Sequence, residues 1–182
     1  MRPIDMSNVK EAGEFPKLTP GGYVCRYTNV EDKADKEYLY MEFDIAEGEF
    51  KDYYKQMNEN LKFWGGKVIR SYKEAARPMF KRMCVAVTKS NPGFIFDGNT
   101  HADERTLNGK LIGLVLAEEE YVGNDGSVKT RLYVNTEKSV DDIRSGNYKV
   151  PALKKLSGNV TGLHSVDTFN GTIGNDEVIP FN

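Results

Sequence analysis

Between Tyr38 and Ile45 the chain alternates without a fault. Leu39, Met41, Phe43 and Ile45 fall on one side, and Tyr38, Tyr40, Glu42 and Asp44 fall on the other. Side chains of an extended strand point to opposite faces with period two, so this segment reads as a strand with one buried and one accessible face. A second alternation runs from Val128 to Asn135, with Val128, Thr130, Leu132 and Val134 opposite Lys129, Arg131, Tyr133 and Asn135. Neither pattern suits a helix, whose apolar stripe repeats every three or four residues.

The remaining elements fall around these two strands. Gly21-Gly22 opens a run rich in aromatic and β-branched residues, Tyr23 to Val30, which the polar cluster Glu31 to Lys36 closes; this is a first strand. Phe50 to Asn58 reads as a short helix or an irregular excursion, and Leu61 to Tyr72 as a third strand broken by Gly65-Gly66. From Lys73 to Lys89, Ala75, Ala76, Met79, Phe80, Met83, Cys84 and Val87 recur at helical spacing, which predicts an amphipathic helix. Proline is tolerated in a first turn, so the helix is expected to start just before Pro78. A polar loop spans Ser90 to Asn108. Lys110 to Val122 then forms a strand joined to Val128–Asn135 through the turn Gly123-Asn124-Asp125-Gly126. The order β-β-β-α-β-β is that of the OB-fold, a five-stranded, partly open barrel with one helix between strands three and four. A split α+β sheet shares that order.

At 182 residues the chain has room for one domain and a modest appendage. We expect an N-terminal arm over residues 1–14, the barrel over 15–156 and a tail over 157–182, whose Gly-, Asn- and Thr-rich composition cannot bury enough apolar surface to order itself. No apolar run approaches the ~20 residues of a spanning helix, and Met1 to Lys10 lacks the apolar core of a signal peptide, so a cytoplasmic location is expected. Cys25 and Cys84 have no partner at metal-ligand spacing and read as buried thiols. The net charge of −2 argues at first against a nucleic-acid binder. It is segregated, however. From Lys129 to Lys155, Lys129, Arg131, Lys138, Arg144, Lys149, Lys154 and Lys155 face only Glu137, Asp141 and Asp142, and beyond Lys155 there is no further Lys or Arg.

Signatures of catalysis are missing from the sequence. His101 and His164 have neither a second histidine nor a cysteine nearby, no phosphate-binding glycine loop or nucleophile elbow occurs, and in a strand Glu118, Glu119 and Glu120 alternate between faces. No catalytic residue, metal or cofactor is assigned. Binding a single strand of nucleic acid needs cations that track the phosphates and aromatic faces on which bases stack. The expected outward positions supply both: Tyr38 and Tyr40 on strand two, Lys129, Arg131 and Tyr133 on strand five, Phe63, Trp64, Lys67 and Arg70 around the glycine pair, and Arg26 on strand one if Tyr23, Cys25 and Tyr27 turn inward.

The last residues, Asp176-Glu177-Val178-Ile179-Pro180-Phe181, resemble the acidic terminus of bacterial single-stranded DNA-binding proteins. The segments 37–48 and 109–121 are similar to a family of small OB-fold single-stranded DNA-binding proteins of phages and integrative elements. The resemblance implies a non-catalytic protein of a replication or recombination module that protects single strands and recruits partner proteins through Asp176, Glu177, Ile179, Pro180 and Phe181. Asn182 departs from the bacterial pattern, in which phenylalanine is the final residue. Two other readings stand beside this one, an OB-fold adaptor that binds protein and a metal-dependent nuclease. The sequence is compatible with a homo-oligomer and does not choose between DNA and RNA.

Overall fold

A long strand, β1 (Gly21–Lys33), carries a partner on each side in the computed structural model, which describes residues 2–5, 7, 16–99 and 103–156. On one side lies β2 (Tyr38–Ile45), followed by β3 (Lys67–Ser71); on the other lies β4 (Leu111–Val122), followed by β5 (Val128–Lys138). The five antiparallel strands form one open sheet in the order β3-β2-β1-β4-β5. Among the described residues three α-helices accompany them, α1 (Tyr53–Leu61), α2 (Arg77–Ser90) and α3 (Val140–Arg144).

The alternation of β2 is realised at every position but Asp44, which was expected on the accessible face and is instead buried under α1, whose backbone it binds. Leu39, Met41, Phe43 and Ile45 are all buried, while Tyr38, Tyr40 and Glu42 stay half-buried on the other face. Cys25 and Tyr27 of β1 and Ile112, Leu114 and Leu116 of β4 complete the inner face, against which Met83 and Val87 of α2 pack. Helix α2 begins at Arg77 with Pro78 in its first turn, where the missing N–H costs nothing.

Two irregularities change which residues face inward. In β1 the register shifts between Tyr27 and Asn29, so that Val30 joins the core together with Tyr27. In β5, Val134 pairs with Leu116 but Thr136 pairs with Val115, which leaves Asn135 as an inserted residue. Asn135 therefore does not continue the row Lys129, Arg131, Tyr133, and Glu137 turns inward opposite Leu114.

That inward turn brings the two edges of the sheet together. Arg70 pairs with Leu39 across β2 and β3, which places it on the inner face, and its Nε donates to Glu137 Oε1. Nη2 of Arg70 also reaches the carbonyl of Val134 on β5, at 3.5 Å. Arg82 of α2 donates to the other oxygen of Glu137 at 3.2 Å. Arg70 thus links β3 to β5 through its side chain, and Arg82 ties α2 to the same carboxylate.

Three local results differ from the sequence expectations. The third strand is confined to Lys67–Ser71, because α1 runs on to Leu61 and the chain then crosses over Phe43 at Gly66. A Cβ at Gly66 would strike the carbonyl of Phe43 and the ring of Tyr54, so a longer side chain cannot enter β3 there. Asp44 anchors α1 to the sheet: its carboxylate accepts from the N–H groups of Tyr54 (2.9 Å) and Lys55 (3.0 Å), both otherwise orphaned in the first turn. Helix α3 was not expected. Ser139 caps it by accepting from Asp142 N, and Val140 and Ile143 cover Val24 and Val115 on the outer face of the sheet.

Candidate nucleic-acid interface

The candidate residues separate into two surfaces and a buried remainder. The first surface lies on the outer face of β1, β2 and β3. Tyr38 stands opposite Lys33 and Ser71, Tyr40 opposite Glu31 and Ile69, and Lys67 opposite Glu42. Arg26 is exposed on β1, as required by the inward turn of Cys25 and Tyr27. Tyr40 Oη donates to Glu42 Oε1 at 3.2 Å. Charge on this surface is mixed, since each basic residue shares the face with Glu31 or Glu42.

The second surface belongs to the β4–β5 hairpin. Lys129, Arg131 and Tyr133 form one row on β5, opposite Tyr121, Glu119 and Ala117 of β4. Lys129 and Arg131 are exposed and Tyr133 is half-buried; the alternate row is not buried as expected near the turn, where Val128 and Thr130 are exposed as well and Leu132 is half-buried, because β5 is an edge strand that extends beyond the core there. Burial, and the charge of Glu119 beside it, hold the Tyr133 hydroxyl above the usual tyrosine range. The Arg131 guanidinium lies over the Tyr121 ring, 5.2 Å from its centroid, an attraction between a cation and the negative face of the ring.

Glu119 organises this surface. It is 6% exposed, and its Oε1 accepts from Arg131 Nε at 2.9 Å while Oε2 stands 3.6 Å from Lys154 Nζ. Lys154 arrives from a segment well beyond β5, which forms a parallel bridge to Glu119, with Lys154 N donating to Glu118 O and Glu120 N donating to Lys154 O. At the turn, Lys129 Nζ pairs with Asp125 Oδ2 at 2.9 Å. Three cations are thus held against two carboxylates, in a geometry that leaves the guanidinium stacked and accessible. The sequence offered no sign of Lys154 or Tyr121 as members of this cluster: the first comes from a distant segment, and the second depends on the hairpin register.

Glu119 shares the outer face with Arg131, whereas Glu118 pairs with Leu132 and Glu120 with Thr130 on the opposite face. Glu120 Oε2 instead accepts from Leu156 N at 3.0 Å. The three successive carboxylates therefore converge on no common point.

Phe63 and Trp64 have different fates. Phe63 is 45% exposed and lines a hollow of about 260 Å³ that it shares with Leu18, Glu118, Arg131 and Leu132, so the structure brings it beside the hairpin. Trp64 folds back instead: its Nε1 donates to Gly66 O at 3.1 Å, and its ring packs 6.5 Å from that of Tyr54 at the margin of the core. Arg70 is withdrawn from the surface. It is 4% exposed and paired with Glu137 inside the sheet, because its partner across the ladder is the buried Leu39, so no ligand outside the domain reaches it. His101, His164 and the tip residues Asp176, Glu177, Ile179, Pro180 and Phe181 lie outside the described residues.

Among the described residues no helix is long and apolar enough to cross a membrane. No protein-family model matches the chain, and no curated protein sequence matches it.

Proposed function

We propose that the chain binds single-stranded DNA without acting on it chemically, with the β4–β5 surface as the primary contact and Phe63 at its margin. The observation that carries this reading is the row Lys129, Arg131, Tyr133 beside Tyr121: cations and aromatic faces alternate on an accessible sheet surface, where phosphates and bases of one strand recur at comparable intervals. Strand order supports an OB-type barrel as the scaffold. In such a barrel the first strand pairs with the second and the fourth, a helix follows the third, and the third and fifth strands approach to close it. Here the Arg70–Glu137 pair spans that last approach by side chains. The resemblance of 176–181 to bacterial tips supports a role in recruiting replication or recombination proteins, and the resemblance of the body supports a phage or mobile-element setting.

One observation favours the adaptor reading. Arg131 and Lys129 are each already paired with a carboxylate, so a phosphate must displace Glu119 or Asp125, whereas a protein surface with its own acids and donors need not. A gel-shift titration with single-stranded and duplex oligonucleotides at two salt concentrations separates the two. The DNA reading expects single strands to be preferred and affinity to fall steeply with salt; no retardation of either at low salt selects the adaptor.

A further inference from the structure

The hollow beside Phe63 has a chemistry that stacking alone does not use. It lies between the row Glu118, Thr130 and Leu132 of the β4–β5 hairpin and the rings of Tyr53, Tyr54 and Phe63. Its volume of about 260 Å³ falls below the ~300–1,000 Å³ of sites for drug-sized ligands, which suits a single flat ring system. The walls are already set. The Tyr53 and Tyr54 rings meet edge to face with centroids 5.2 Å apart, and Gly65 leaves open the space between Tyr54 and Phe63, where a Cβ would stand 3.2 Å from both rings. Glu118 is half-buried at this hollow. Among the described residues its carboxylate makes no hydrogen bond or ion pair, unlike those of Glu119 and Glu120 on either side. Lys17, exposed at the same hollow, is likewise unpaired among the described residues.

An aromatic slot with one open carboxylate discriminates among bases. A carboxylate only accepts hydrogen bonds, and its two oxygens accept side by side from a pair of donors in one plane. Guanine offers such a pair, N1–H and the 2-amino group, on an edge that is free in a single strand. Cytosine and adenine offer one amino group each on that edge, and thymine a single N–H between two carbonyl oxygens that a carboxylate repels. We propose that this hollow takes one guanine base of a bound strand, with the ring against Phe63, N1–H and the 2-amino group donating to Glu118, and Lys17 on the adjoining phosphate. The inference rests on the strand-binding reading above and adds a base preference to it. Arg131 lines the hollow and also belongs to the row Lys129, Arg131, Tyr133, so a strand that follows the row passes the opening.

Fluorescence anisotropy of the full chain with a labelled oligo(dT) strand, and with the same strand carrying one central substitution, tests this. One dG should tighten binding about tenfold, the discrimination expected of a good bidentate contact. Inosine keeps N1–H and the purine ring but lacks the 2-amino group, so it should lose most of that gain, as should adenine. Glu118→Gln should bring the dG and dT strands to within about twofold of each other while binding persists. Phe63→Ala should weaken both strands together, because every base has a face to stack. Equal affinity for the dG and dT strands, a gain that inosine and adenine share in full, or a preference that survives Glu118→Gln overturns the proposal and leaves strand binding standing. The inosine strand probes the contact without altering the protein, so the outcome does not depend on how a variant folds. Failure of every strand to bind overturns the proposal together with the reading it rests on. Free dGMP that binds as tightly as the dG strand assigns the hollow to a mononucleotide and overturns its assignment to a strand.

Discussion

Arg70 and Glu137 lie on the two edge strands of one sheet, β3 and β5, yet form a direct ion pair inside the protein, with Arg82 of α2 on the second oxygen of the same carboxylate. Tyr27 lies among them with its hydroxyl buried and without a hydrogen-bond partner, and burial, reinforced by the charge of Glu137, holds that hydroxyl well above the usual tyrosine range. The pair links the two edge strands by side chains alone.

Glu137→Leu leaves Arg70 buried without a countercharge and should therefore cost about 3–5 kcal/mol, Arg70→Met should cost less because Arg82 still pairs with Glu137, and the double substitution should cost clearly less than the sum of the two. Urea denaturation of the three variants measures this. Additive losses would show that the two side chains stabilise the fold independently.

Glu119 holds Arg131 and Lys154 in place of any phosphate. Glu119→Gln should keep the packing of the side chain while freeing both cations, and so tighten binding to single-stranded DNA at low salt. Arg131→Ala should weaken binding and make the slope of log affinity against log salt shallower by ~0.7, the share of one phosphate contact on a single strand. Tyr121→Ala and Tyr133→Ala should weaken binding by about 1–3 kcal/mol for each base that loses its stacking partner, with little change of slope. Fluorescence anisotropy of a labelled oligonucleotide across a salt series reads all four.

Gly113 lets α3 lie flat on the outer face of the sheet. A Cβ there would meet the Ile143 side chain and come within 2.8 Å of the Ser139 carbonyl, which the β5–α3 junction cannot easily move. Gly113→Ala should cost about 1–3 kcal/mol by overpacking, read as a lower thermal midpoint. Ile143→Ala in the same chain should recover part of that loss by opening the space.

Alkaline pH should destabilise the fold in part through the Cys84 thiol. Burial, with the charge of Asp97 adding to it, pushes Cys84 from its ordinary value near 9 up to about 11, so the fold favours the protonated form. The stabilisation is complete below the unfolded-state value and is lost as pH rises through about 11. Stability measured by denaturant between pH 9 and pH 11 should fall for the parent chain and fall less for Cys84→Ala.

Much of the architecture was legible in the sequence because it rests on local rules. Period-two alternation located β2 and the row Lys129, Arg131, Tyr133; helical spacing with Pro78 at its start located α2; and the turn at Gly123–Gly126 joined β4 to β5. The tertiary structure alone decided which of these residues meet. Extended alternation would have placed Glu137 on the row of Arg131, but the insertion of Asn135 reverses the phase and sends it inward to Arg70. Arg70 looked like a surface cation because the glycine pair before it hid the register, and pairing with Leu39 buried it. Tyr121 and Lys154 joined the candidate surface through a hairpin register and through a bridge from a distant segment. The periodicity of a strand is written in its own residues, whereas its register and its bulges are set by the strands beside it, which the sequence places far away.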